Sequence, residues 1–309
     1  MKTSTRILKY CIAFLIIPLN AHTQTDTLKR SIEDTGSSSK VQGPHSVYAS
    51  LGYGNNMVLA STVTTAQPYY YGSLVYGYKN SFFVSASSFH LPSYNPFMAY
   101  NVFGLSYTHC FNDWFDISLN ASRFQVATEL TDTLFSSFFY ADATFGLDWK
   151  ILYTKVSASG MFAETSSAYL QARNSRYFQT PEFLSGKAYI SFDPYVNLAF
   201  GSLTKTVIDG ETIIGISSPL WGSTYSGSTS GSGNGPGSGS GSTGTTTTNT
   251  TTTDYFGLME ADFGIPVALN IGNFTFEVEP GYILPLYSDP SIPSPEGFSL
   301  IMSCFIKIF

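Results

Sequence analysis

From residue 45 onward, apolar and polar residues alternate along the chain in blocks of about ten, the length of a membrane-crossing strand. Over 273–287 (NFTFEVEPGYILPLY), Phe274, Phe276, Val278, Pro280, Tyr282, Leu284 and Leu286 fall on one face and Thr275, Glu277, Glu279 and Gly281 on the other. A helix would scatter these residues around its axis, whereas a strand sorts them, because its side chains point alternately to opposite faces. The stretch 185–201 repeats the pattern, with Ala188, Ile190, Phe192, Val196, Leu198 and Phe200 opposed to Lys187, Tyr189, Ser191, Asp193, Tyr195 and Asn197. Over 135–149, Phe139, Ala141, Ala143, Phe145 and Leu147 oppose Tyr140, Asp142, Thr144 and Asp148. In 255–269, Met259, Phe263, Ile265 and Val267 oppose Glu260 and Asp262.

The full pattern predicts strands at 45–53, 69–79, 81–90, 98–110, 114–124, 135–149, 151–162, 166–178, 185–201, 254–269, 273–286 and 297–309. That makes twelve; weak patterning over 166–184 and 202–222 leaves ten or fourteen open. Links after the second, fourth, sixth and tenth strands are short, and those after the first, third, fifth, ninth and eleventh are longer. The link 163–165 breaks this alternation. Pro194 and Pro280 sit inside strands, and since proline removes a ladder donor, each predicts a local bulge.

Only now does composition change the picture. Lys2, Arg6 and Lys9 precede a ten-residue apolar run, YCIAFLIIPL, which reads as a secretory signal peptide over 1–24 with cleavage between Ala21 and Gln24. Residues 25–44 are polar and aperiodic, a flexible leader. No later run approaches the ~18 apolar residues of a membrane-spanning helix. Aromatics make up 16% of the 309 residues and charged residues 12%, about half the ~25% of a soluble domain. In lipid only helices and closed barrels satisfy their backbone groups. The fold class read from the sequence is therefore all-β: a closed antiparallel transmembrane β-barrel of about twelve strands over 45–309. Residues 222–253 are almost wholly Gly, Ser and Thr, too polar to bury a core, and read as a disordered loop outside the cell. With short turns on the periplasmic side, both termini are placed in the periplasm. A net charge of −6 excludes a basic nucleic-acid binder.

The signal peptide, the alternating strands and a chain ending on Phe309 resemble outer-membrane β-barrel proteins of Gram-negative bacteria. The many Tyr and Phe and the Thr/Ser/Gly-rich loop are similar to porin-like barrels of Bacteroidota. The resemblance implies an outer-membrane location, lipid as surroundings, and recognition of the last strand, FSLIMSCFIKIF, by the barrel-assembly machinery; the chain is taken as a monomer by default. In that strand the even positions Phe298 to Ile308 are uniformly apolar and are assigned to lipid, which turns Lys307 to the lumen.

Candidate chemistry lies on the polar faces. Asp142, Asp148, Asp193, Glu260, Asp262, Glu277 and Glu279 point inward, Asp116 of the fifth strand joins them, and Lys155, Arg173, Lys187 and Lys307 are the inward bases. A tight turn at 271–272 sets Gly264 opposite Glu279; the following loop sets Glu277 opposite Lys307; a turn near Pro181 brings Arg173 close to Asp193. Such a lumen either favours cations and small polar solutes or forms an internal network of ion pairs, which leaves the barrel as an anchor for its loops. No CxxC, HExxH, GxSxG or P-loop pattern occurs, so the reading has no metal, no cofactor and no catalytic residue. A rim hydrolase would need a nucleophile and base in reach; His90 beside Ser87 and Ser88 is the best placed, and no orienting acid accompanies it. Cys110 and Cys304 read as unpaired and structural.

Overall fold

The computed structural model describes residues 44–59, 63–131, 133–164, 166–208, 211–216, 250–287 and 296–309. The expected signal peptide, the leader up to residue 43 and the low-complexity stretch 222–249 lie outside the described residues. In chain order the strands are β1 (His45–Gly54), β2 (Met57–Leu59), β3 (Val63–Thr65), β4 (Tyr69–Tyr78), β5 (Phe82–His90), β6 (Tyr100–Asn112), β7 (Phe115–Val126), β8 (Phe138–Asp148), β9 (Tyr153–Phe162), β10 (Ser166–Ser175), β11 (Phe178–Gln179), β12 (Ala188–Phe192), β13 (Tyr195–Ile208), β14 (Glu211–Ile216), β15 (Thr250–Gly264), β16 (Val267–Ile271), β17 (Phe274–Pro285) and β18 (Gly297–Lys307).

β10 runs on into β11, β12 into β13 and β15 into β16, each across a two-residue break. Counted that way, twelve antiparallel walls follow one another in chain order. β1 pairs with β4 on one side and β18 on the other, and β18 with β17, so the sheet closes on itself. Closure leaves no free edge among the wall strands, which is what lets a sheet stand in lipid. β2 and β3 form a small hairpin in the loop between β1 and β4.

The alternation read from the sequence becomes an alternation of burial. In β4, Tyr69, Tyr71, Ser73 and Val75 are buried while Tyr70, Leu74, Tyr76 and Tyr78 are exposed. The exposed face is apolar around the barrel, with Leu51, Val84, Leu105, Leu119, Phe145, Phe263, Phe276, Leu284 and Ile306 among its members. An apolar surface of that extent has no place in water. Aromatics gather where the strands meet the short turns: Phe82 packs on Tyr107 at 4.8 Å and Phe111 on Phe115 at 5.3 Å, and Trp114 and Trp149 are exposed on the same rim. A second set, including Tyr53, Tyr70, His90, Phe97 and Phe298, marks the long-loop end. Paired aromatic girdles about an apolar band are the usual dress of a membrane barrel.

Several expectations need correction. The 163–165 link is real: β9 and β10 form a hairpin in which Phe162 faces Ser166. Gly264 lies opposite Gly281, two residues from the expected Glu279, and Glu277 lies opposite Ser303, so Lys307 pairs with Tyr48 of β1 instead. Both offsets are even, so each residue keeps its face. The turn geometry, with Gly272 at φ +58, sets the register, and alternation alone cannot. Neither proline makes a bulge. At Pro194 the ladder simply breaks between β12 and β13, and its carbonyl still accepts from Arg176 N–H at 3.2 Å. Pro280 stays within β17 opposite Leu300; the break falls on its other neighbour, at Ile265–Pro266, and the Pro280 carbonyl accepts from Ile265 N–H at 3.0 Å. The register shifts elsewhere: at Ala199/Phe200, where β15 carries the extra residue Met259, and at Cys110/Asn112, where β6 carries the extra residue Phe111.

The largest departure is a flap. β13 and β15 have 14 and 15 residues, more than the ~9–11 needed to cross a membrane. β10 leaves β13 at Gly201, and β14 takes over that edge from Leu203 onward. Thr250–Thr253, expected in the disordered loop, pair with Lys205–Ile208. β14, β13 and β15 thus continue as a three-stranded ribbon beyond the ladders of their neighbours.

Candidate functional site

Two zones fill the barrel interior. Toward the long loops it is apolar. Wall residues Tyr69, Tyr71, Phe89, Tyr100, Phe124, Phe138, Tyr140 and Met161 join Leu91, Leu130, Leu134 and Phe135 from the loops in one buried cluster. Phe89 stacks on Tyr100 at 4.6 Å and Phe124 on Phe138 at 4.1 Å; Phe135 meets Tyr100 edge-on at 5.4 Å. The flap joins in, with Leu203 buried in the cluster and Ile214 packed against it. The mouth is stoppered. The segments PYYYGS and SFFYAD carried a legible sign of this: consecutive aromatics at 69–71 and 138–140 interrupt the alternation, so both faces must be apolar there.

Toward the short turns the interior is mainly polar, with Tyr48, Phe83 and Phe305 buried among the polar groups. Of the sequence-derived residues, Asp142, Asp193, Glu260, Asp262, Glu277 and Glu279 sit on the inward face, as do Lys155 and Arg173. Asp116 joins them from β7. Asp148 and Lys187 do not. Both are exposed at the short-turn rim, where the Asp148 carboxylate accepts from Lys150 N–H at 2.7 Å and Lys187 precedes β12 in its turn. Each has inward parity, but the wall ends before it can reach the interior. Lys307 is half-buried at the same rim.

The acids are held by neutral donors one or two walls away. Tyr195 O–H donates to Glu279 at 2.7 Å, Asn197 to Asp262 at 2.7 Å, Asn120 to Asp142 at 2.8 Å and Tyr153 O–H to Asp116 at 2.8 Å. Arg173, opposite Asn197 in the ladder, lays its guanidinium 3.7 Å from the centre of the Tyr195 ring. A cation on the ring face and a carboxylate on the hydroxyl fix Tyr195 from two directions. The sequence had sorted Tyr195 and Asn197 inward and given them no role. Asp116, Asp142, Asp193, Glu260, Asp262, Glu277 and Glu279 face Lys155 and Arg173, so the described interior is net negative.

Gly264 makes the cluster sterically feasible. A Cβ at that position would stand 2.5 Å from the Tyr195 ring. Gly264→Ala is expected to destabilise the barrel by about 1–3 kcal/mol, the usual range for overpacking, measured by urea unfolding in detergent; unchanged stability would mean that Tyr195 does not lie across Gly264.

The hydrolase arrangement is not formed. His90 faces outward, stacked on Tyr70 and Phe97, with Nδ1 donating to the Phe97 carbonyl at 2.6 Å. Ser87 faces the interior and donates to Ser73, while Ser88 donates to Asn101 at 2.6 Å.

No protein-family model matches the sequence, and no curated protein matches it either. Similar solved structures include the KdgM porin (9% identity, covering 85% of this chain and 99% of that one, TM-score 0.43). LpxR from Salmonella typhimurium (6%, 84% and 99%, TM-score 0.42) and the translocator domain of the autotransporter NalP from Neisseria meningitidis (10%, 92% and 95%, TM-score 0.31) are similar too. The closed barrel itself rests on the strand pairings above.

Proposed function

We propose that this chain is a bacterial outer-membrane β-barrel, closed at rest, that serves as a rigid anchor for the structure above its long-loop rim. The apolar outer face between two aromatic girdles supports the membrane reading. The observation that carries the closed state is burial at every level of the interior. Tyr100 and Phe138 are at 0% exposure near the long loops, Glu279 at 3% and Arg173 at 2% lower down, and Phe305 at 3% near the short turns. A conducting lumen would leave such residues in contact with water. The ribbon of β13, β14 and β15, set on the stopper through Leu203 and Ile214, is what the anchor holds up.

A second reading, porin-like passage of small polar or cationic solutes, is favoured by one observation. Part of the stopper, Leu91, Leu130, Leu134 and Phe135, is loop-borne, and the interior beneath it is acidic. Withdrawal of those loops would open a path over a negative wall. Conductance in planar bilayers distinguishes the two. The wild type is expected to be silent, and Leu134→Ala/Phe135→Ala to stay silent if the walls alone close the barrel. Steady wild-type conductance would overturn the anchor reading. Steps appearing only in the variant, with K⁺ preferred over Cl⁻, would establish the gated one.

A further inference from the structure

The outward face carries an anomaly at Arg123. From β4 through β10 it is the one Lys, Arg, Asp or Glu among the described outward-facing strand positions. Its cross-strand neighbours are Phe103 and Phe139, and its same-face neighbours along β7 are Ala121 and Gln125, so no carboxylate flanks it. The guanidinium lies 4.4 Å from the centre of the Phe139 ring. A cation facing hydrocarbon is costly unless it meets an anion or reaches the polar surface. Arg123 is three residues from the long-loop end of β7, within snorkelling reach of the headgroup layer on that side.

A groove leads to it. A depression of about 580 Å³ crosses the outward face of the first six walls, and Leu74, Ala86, Phe103, Arg123 and Phe139 form one continuous cross-strand row within it. Large side chains raise its flanks, while Ala86 and Ala121 leave the floor low. At ~4.8 Å per strand the row spans about 19 Å from Leu74 to Phe139, enough for most of an acyl chain. Because barrel strands tilt by ~35–45°, a slot running across them also climbs through the membrane.

We propose that this groove is a site for a phosphate-bearing anionic membrane lipid, with the acyl chain on Ala86 and Ala121 and the phosphate on the Arg123 guanidinium. The occupant follows from the two halves of the site. The slot is lined by carbon and faces lipid, and its single charge is a planar donor suited to a phosphate. The proposal rests on the membrane reading above. The test is vesicle flotation followed by native mass spectrometry of protein reconstituted with phosphatidylglycerol and phosphatidylcholine of identical chains. Wild type is expected to retain phosphatidylglycerol selectively. Arg123→Gln should lower that retention about tenfold, the loss expected for one charge-assisted contact, and Arg123→Lys should restore part of it. Ala121→Phe, which fills the floor and keeps the charge, should lower retention of both lipids. Equal retention of the two lipids by wild type, or no change in Arg123→Gln, would overturn the site while leaving the membrane reading intact. A wild type that does not float with vesicles would overturn both.

Discussion

Replacing Arg173 with Met is expected to cost the folded barrel about 3–5 kcal/mol, the range for stripping one partner from a buried charged cluster. Arg173 is 2% exposed and stands over Tyr195, whose hydroxyl is held by Glu279; Asp262 is held by Asn197 directly opposite Arg173. Met fills much of the same volume without the charge, leaving two carboxylates beside a ring with no cation on it. Urea unfolding in lipid vesicles would measure the loss. Adding Glu279→Gln to the Arg173→Met variant should recover part of it, because the second change removes one of the stranded charges while Gln can still accept from Tyr195. A loss below about 1 kcal/mol, the scale of an exposed pair, or no recovery in the double variant, would show that the cluster braces nothing.

Arg at Val278 is the outward counterpart. Val278 lies midway along β17, opposite Val267 and Met302, on the face shared by Phe276 and Tyr282. About six residues above the Gly272 turn, on a tilted strand, it falls near the bilayer midplane, where a lipid-facing Arg costs about 2–4 kcal/mol. Val278→Leu at the same position should be nearly neutral. The comparison reads the membrane directly: in a soluble barrel, Arg on a half-exposed outward position would cost little, so similar stabilities for Val278→Arg and Val278→Leu would sink the placement of that face in lipid.

Face and strand number were legible because they depend on a period of two, and a period needs no partner to be seen. The inward placement of Glu277 and Glu279 and the outward placement of Phe276 follow from parity alone, and parity survived two errors of register. The same holds for the last strand, where Phe305 is buried inside and Ile306 and Ile308 are outside, as the uniformly apolar even positions require. What alternation cannot carry is distance along the strand. A slip of two residues leaves every face unchanged, so Gly264 opposite Gly281 and Lys307 opposite Tyr48 were set by turn geometry and by ring closure.

Level within the barrel was hidden for the same reason. Asp148 and Lys187 have inward parity, yet stand on a rim because the wall stops at the turn. The sequence by itself determined a chain of amphipathic strands with acids on one face and an apolar surround on the other. Only the tertiary structure decided that the barrel is stoppered, because the stopper is assembled from Phe89, Tyr100, Phe124, Phe135 and Phe138. Those rings come from different walls and one loop, and closure of the sheet is what brings them into contact. It likewise decided that Arg173 serves Tyr195, since the two meet across neighbouring walls whose register no local pattern encodes.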